Sequence, residues 1–287
     1  MSDIAIIGIH GLENKVEHAT LENWWKAAIE EGLARNHGRN DPLPFRMAYW
    51  ANVRNTDPVA IEEEREPYRL ADGSGPFVPY AGSAVDVVRA KVQALLGGRV
   101  DRAKDLFSWD GTERLIGIRV ADLSAYYQDE AIRRQIRERL VDVLLASADK
   151  RILLLAHSMG SIVAYDVLRD LEADASIEVA HLLTLGSPLG LPLVSRHIRG
   201  EFHDQRAPAN VRAWTNVADP GDKVALDIAL ADEYEPSATG IRPRDVLIRN
   251  GYVSPAGREN RHKSYGYLRA PEVSSIVDAF LSGGSLR

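Results

Sequence analysis

The sequence predicts an α/β fold, with a mostly parallel central sheet of about six strands flanked by helices. Three observations point there. Short, β-branched-rich apolar runs such as Ile4–Ile9 and Arg151–Ala156 have no polar face, as expected of strands buried on both sides. Segments with helical periodicity fall between those runs, in the alternation that builds right-handed βαβ units. The chain is also 287 residues long, enough to bury a large core without a staple, and it contains no cysteine.

The elements follow in order. Ile4–Ile9 is the first strand, and the loop Gly11–Ala19 leads to Thr20, a candidate helix cap. Leu21, Trp24, Trp25, Ala28, Ile29, Gly32 and Leu33 then recur at helical spacing, and Gly38 supplies a stop. Phe45–Val53 reads as the second strand. The stretch Asn55–Leu123 is an insert, with an acidic run at Glu62–Glu64 read as a solvated helix face. It also holds an amphipathic helix at about Ser83–Leu96, read as packing on the core or serving as a lid. Ile132, Ile136, Leu140, Val143 and Leu144 mark a further helix, and its arginines Arg133, Arg134, Arg137 and Arg139 read as an outer, solvated ladder. Arg151–Ala156 is a strand, Met159–Leu171 a helix and Val179–Leu185 a strand. Val211–Ala218 and Asp245–Ile248 are two more strands, and Pro271–Leu281 closes the chain as a helix. No composition break separates a second domain, so residues 1–287 read as one domain carrying the insert at about 55–123 and a possible lid loop at about 188–208.

Composition narrows the function. With 35 basic against 41 acidic side chains the net charge is −6, which argues against a nucleic-acid binder. The absence of cysteine removes thiolate nucleophiles, Cys-ligated zinc and iron–sulfur clusters. No apolar run approaches the ~18 residues of a membrane span, and the N-terminus lacks the basic start of a signal peptide. A cytoplasmic protein is expected. There is no repeat at 20–50 residues, no phosphate-binding Gly-x-x-x-x-Gly-Lys loop and no dinucleotide fingerprint. The histidines show no metal-ligand spacing, and no cofactor is expected.

One segment carries chemistry. The apolar strand Arg151–Ala156 ends in Ala156-His157-Ser158-Met159-Gly160 and runs straight into a helix, the small-x-Ser-x-Gly pattern of a nucleophile elbow. Small residues on both sides let the chain turn sharply and leave the Ser158 hydroxyl exposed above the sheet, near a helix N-terminus. The first strand ends in His10-Gly11-Leu12. Two aspartates, Asp219 and Asp222, follow the strand Val211–Ala218, and of eight histidines only His262 lies beyond them.

Taken in order, His10-Gly11, Ala156-His-Ser-Met-Gly160, Thr184-Leu-Gly-Ser-Pro188, Asp219/Asp222 and His262 resemble the α/β-hydrolases, closest in layout to small bacterial serine lipases and esterases. The resemblance covers most of the chain apart from the insert. It implies a three-layer fold and a Ser-Asp-His chain order, with Ser158 as nucleophile and His262 as base. It implies Asp222 as the acid, favoured over Asp219 because it stands in an Asp-x-Val setting while Asp219 precedes Pro220 in a turn. The backbone N–H groups of Leu12 and Met159 would hold the oxyanion. The implied activity is cleavage of a small-molecule carboxylic ester or thioester through an acyl-enzyme, without a cofactor. An acyltransferase with the same triad, or a silent scaffold kept for binding, are the alternatives. Finally, Ile241–Arg269 carries seven basic side chains against two acidic ones, which would either attract an anionic substrate or form a solvated loop.

Overall fold

Alternation along the central strands determines how this protein is layered. In β3 (Arg151–His157) the side chains of Ile152, Leu154 and Ala156 join one hydrophobic cluster, and those of Leu153 and Leu155 join another on the opposite face. Every one of these five is fully buried. A strand in that position needs helices on both sides, and it has them. The computed structural model describes residues 3–82, 123, 125–224 and 229–284. Among these, six strands form one all-parallel sheet: β1 (Ile4–Ile9), β2 (Phe45–Ala48), β3, β4 (Val179–Leu185), β5 (Trp214–Ala218) and β6 (Pro243–Leu247), in spatial order β2-β1-β3-β4-β5-β6.

On one face lie α1 (His18–His37) and the C-terminal helix α6 (Pro271–Leu281), burying Leu21, Trp25 and Ile29 with Val273, Val277 and Phe280. The short helix α5 (Ser264–Leu268) packs on α1 beside them. On the other face lie α2 (Glu130–Leu145), α3 (Met159–Asp170) and α4 (Pro192–Phe202). The chain crosses from one face to the other through the sheet edge, as a doubly wound α/β fold must. β1 and β3 are neighbours, so their C-terminal ends, which carry His10 and Ser158, emerge side by side.

Some boundaries differ from expectation. β2 stops at Ala48, not Val53, because Trp50 turns back on His10: its backbone N–H donates to His10 Nε2 at 3.0 Å and its indole Nε1–H to His10 O at 2.9 Å. A 3₁₀ turn at Ala51–Val53 follows. α1 begins at His18, so Thr20 lies inside it rather than capping it. β5 begins at Trp214, and Val211 makes only an isolated bridge to Val179. β6 is shifted to Pro243–Leu247, with the proline at the first strand position where its missing N–H does least harm. The acidic run Glu62–Glu64 is not a helix face: a single 3₁₀ turn, Ile61–Glu63, sits in a strap without other helix or strand. Residues 188–208 hold helix α4, with Val194 and Ile198 buried. The expected helix Ser83–Leu96 lies outside the described residues.

The arginine ladder also divides. Arg134 is exposed, whereas Arg133 and Arg137 lean inward onto Asp166 of α3, whose side chain is only 1% exposed. Asp166 Oδ2 accepts from Arg137 at 2.7 Å, Arg133 at 3.0 Å and the Tyr126 hydroxyl at 2.8 Å. Both arginines also reach Glu201 on α4, so Asp166 and Glu201 together tie α3 and α4 to α2 through the same two side chains. Replacing Asp166 takes the most buried partner from two partly buried cations and from the Tyr126 hydroxyl, leaving them the more exposed Glu201 and, for Arg137, Asp170. Asp166→Ala should therefore lose about 3 kcal/mol of stability, read from the urea midpoint at unchanged m-value. A loss below about 0.5 kcal/mol would mean that the cluster is a solvated surface network.

Candidate active site

Ser158 sits between β3 and α3 with φ 54° and ψ −129°, a backbone state uncommon for a residue with a β-carbon. Its N–H donates to Leu185 O of the neighbouring strand at 3.0 Å, which fixes the turn from the β4 side. The β1 side is a matter of space. A β-carbon on Gly160 would lie 2.6 Å from Ile9 O and 2.7 Å from His10 O, and one on Gly11 would lie 2.7 Å from Ser158 Cβ. Two main chains thus cross at contact distance, and only glycine allows it.

His262 arrives from the loop after β6. Its Nε2 lies 2.9 Å from Ser158 Oγ and its Nδ1 lies 2.8 Å from Asp222 Oδ2. Main-chain groups of His262 are held at both ends: its N–H donates to Asn260 Oδ1 at 2.9 Å, and its carbonyl accepts from His157 Nε2 at 2.8 Å. That bond puts the His157 proton on Nε2. Burial, reinforced by the charge of His262, pushes His157 well below the usual imidazole range, so it acts as a neutral donor.

Asp222 has a side chain with no exposed surface. Its Oδ1 accepts from Val224 N–H at 2.8 Å, and its Oδ2 accepts from the Tyr267 hydroxyl at 2.7 Å as well as facing His262. Burial alone would raise this carboxyl. The charge and hydrogen bond of His262, the Tyr267 hydroxyl and the Val224 N–H outweigh it and hold Asp222 below the usual range. Asp219 goes elsewhere. It accepts from Gly221 N–H and Asn250 N–H, each at 2.6 Å, and pairs with Arg261 at 3.3 Å. The two aspartates are three residues apart, and only Asp222 reaches His262.

The Leu12 loop is shaped by His10. Because Trp50 N–H can only donate, His10 Nε2 is the acceptor and the proton sits on Nδ1, 2.8 Å from Gly11 O. With the Gly11 carbonyl taken by His10, the trans peptide turns the Leu12 N–H the opposite way. Met159 opens α3, so its N–H has no acceptor within the helix. Burial above all, with the nearby Lys15 charge, pushes His10 down to about 3 and keeps it neutral.

A cavity of about 70 Å³ opens beside Ser158, with Val16, Leu21 and Trp25 in its wall. Glu64 and Glu66 of the strap also line it, facing Lys263 at 3.8 and 3.6 Å, and Asn260 bonds Glu66 at 2.8 Å. This bears on the cationic segment Ile241–Arg269: Arg261 pairs with Asp219, Lys263 with Glu64 and Glu66, and Arg269 with Glu31. Carboxylates from the strap therefore offset much of the positive charge at the cavity. The sequence places His157 beside Ser158 without a role and reads Glu64 as part of a solvated helix face, and it marks neither Tyr267 nor Glu66. Tyr267 lies five residues beyond His262 in the same late segment, and that proximity was the available signal. Of the other histidines, His181 bonds Thr215 Oγ1 at 2.8 Å inside the sheet and His197 stacks on Tyr127 at the surface. Among the described residues no group of three His, Asp or Glu is placed to hold a metal ion, and no helix is long and apolar enough to cross a membrane.

The comparisons agree with this architecture. A family model described as an alpha/beta hydrolase of unknown function (DUF900) matches residues 2–188, the part that contains His10, Gly11 and the Ser158 turn. The comparison with curated proteins gives no match.

The buried neutral histidines predict an acid-side loss of stability. His10 titrates near 3 when folded and near 6.5 when unfolded, and His181 is pushed by burial to about 4. Between those values the unfolded chain binds protons that the folded chain refuses. Stability from these groups is complete above about pH 6.5 and falls as pH drops, by about 1.4 kcal/mol per pH unit for each histidine. Urea unfolding at pH 7, 6 and 5 should show this slope, and His10→Gln should flatten it by about one histidine's share. An unchanged slope in His10→Gln would contradict the burial argument.

Proposed function

The chain belongs to the alpha/beta hydrolase family matched over residues 2–188, and from that membership we propose that it is a serine hydrolase that cleaves a carboxylic ester or thioester through an acyl-enzyme. One observation carries the reading: an unbroken hydrogen-bonded chain runs from Asp222 through His262 to Ser158, in steps of 2.8 and 2.9 Å, and ends on a serine at a sharp strand-to-helix turn. Ser158 Oγ attacks the acyl carbon while His262 Nε2 takes its proton. The carbonyl oxygen becomes an oxyanion, held by the N–H groups of Leu12 and Met159. The bond to the alcohol or thiol then breaks, the leaving group takes the proton from His262, and the acyl group stays on Ser158. A water activated by the neutral His262 releases the acid. Asp222 keeps the proton on Nδ1, so that Nε2 faces Ser158 as a base, and stabilises the imidazolium formed in each half-reaction.

The cavity beside Ser158 supports a small substrate group. An apolar cavity of about 150 Å³ takes a benzene ring. About half that volume, with Glu64, Glu66 and Lys263 among its lining, suits an acyl group of roughly two to four carbons. p-Nitrophenyl acetate and butyrate should be turned over, with kcat/KM falling as the chain lengthens to octanoate. Ser158→Ala should lose about 10⁴- to 10⁶-fold in kcat. Asp222→Asn should lose about 10⁴-fold with its melting temperature kept, whereas Asp219→Asn should cost about 1–3 kcal/mol of stability with a far smaller change in kcat. An active Ser158→Ala variant would overturn the reading. A dead but stable Asp219→Asn would exchange the roles of the two aspartates, and a preference for octanoate would refute the small acyl group.

A further inference from the structure

We infer that the Tyr267 hydroxyl is a positioning group for the acid–base pair: it shares Asp222 Oδ2 with His262 and so limits how strongly the carboxylate holds the imidazolium. This rests on the reading of Ser158, His262 and Asp222 as the catalytic set. The geometry leaves the hydroxyl little choice. Asp219 N–H donates to Tyr267 Oη at 3.1 Å, which occupies one lone pair of that oxygen. The hydroxyl proton is then directed at Asp222 Oδ2, 2.7 Å away. That oxygen also faces His262 Nδ1 at 2.8 Å, so two donors compete for one acceptor atom. The ring itself is fully buried, and burial with the adjacent Asp222 charge raises the phenol well above its ordinary value, so it remains a donor at any working pH.

The backbone clears the space this requires. Gly186, at the end of β4, has φ +54°, and a β-carbon there would lie 2.9 Å from Asp222 Oδ2 and 3.1 Å from the Tyr267 ring. The strand end thus gives way to the carboxylate and the tyrosine together. α5 carries Tyr267 just after the His262 loop, so base and modulator lie on one continuous segment.

Removing the hydroxyl takes from Oδ2 a donor that competes with His262. The carboxylate then stabilises the imidazolium more, and more alkaline conditions are needed to free the base. The other titratable and charged groups facing the pair stay in place in such a variant. They are His157 behind the His262 carbonyl, Lys15 from the loop after β1, and Lys263 with Glu64 and Glu66 across the cavity. Asp219 with Arg261 lies behind the Asp222 turn, and Lys223 adjoins Asp222 in the chain. A tyrosine that merely filled space would change stability and leave the pH dependence alone.

The test follows the rate at which a fluorophosphonate modifies Ser158 in the full chain between pH 5 and 9, which needs no natural substrate. In Tyr267→Phe the acid limb should move up by about 0.5–1 pH unit, with the plateau rate reduced no more than about tenfold. Site-specific 3-fluorotyrosine at position 267 keeps the shape and strengthens the donor, and it should move the limb down by a few tenths of a unit. If Tyr267→Phe does not fold, the fluorotyrosine arm decides. A limb that stays put in the folded variants, or moves against these directions, overturns the inference while leaving Ser158 as nucleophile. Failure of the wild-type chain to label at Ser158 overturns both.

Discussion

The close crossing of the β1 end over the β3–α3 turn is the constraint on which the rest depends. Ser158 adopts a backbone state that costs a residue with a β-carbon about 1–3 kcal/mol, and such a state persists only where its surroundings over-determine it. Here they do so from both sides. Leu185 O on β4 takes the Ser158 N–H, while Ile9 O at the end of β1 and His10 O just beyond it lie where a side chain at position 160 would be. The parallel register that sets β1 between β2 and β3 is therefore also what aims the serine. His10 extends the same constraint, since the ring that caps Gly11 O also stops β2 by binding Trp50.

Around that turn, charge is distributed by burial. His10 and His157 are kept neutral and serve as fixed hydrogen-bond partners, each with its proton placed by what the other ring nitrogen or its acceptor allows. Asp222 is as deeply buried, yet it stays ionised because three donors converge on it. The arrangement sets two neutral imidazoles beside one ionised carboxylate. The strap around Glu64–Glu66 adds a carboxylate–lysine rim to the cavity, and Tyr252 and Asn260 tether it through Pro67 O and Glu66.

Much of this was legible in the sequence, for physical reasons that differ by element. β1 and β3 are buried on both faces and read as nearly continuous apolar runs, and β4 as one interrupted by His181 and Thr184, so their positions were plain. Ser158 stood out because steric demand requires small neighbours at a strand-to-helix turn, and His262 because it alone follows the two aspartates. Asp219 and Asp222 share a turn, and which one reaches the imidazole depends on the Asp219–Arg261 pair and the Asn250 N–H, contacts made from distant segments. Trp50 falls within the run Phe45–Val53 that reads as strand, and its bond to a histidine forty positions away ends the strand before it. Arg133 and Arg137 looked like solvated charge because their partner, Asp166, lies on another helix and inside an otherwise apolar stretch. Tyr267 is marked in the sequence only by its nearness to His262, because its contact with Asp222 is one oxygen shared in space.

The central claim is that Ser158 carries the acyl group between the two half-reactions, and the intermediate itself can be weighed. Wild-type protein mixed with p-nitrophenyl acetate, quenched in acid within the first turnovers and digested, should yield the peptide containing Ser158 heavier by one acetyl group. The same treatment of Ser158→Ala should yield none. Turnover that proceeds with no acetyl group on that peptide, and that survives in Ser158→Ala, would contradict the account.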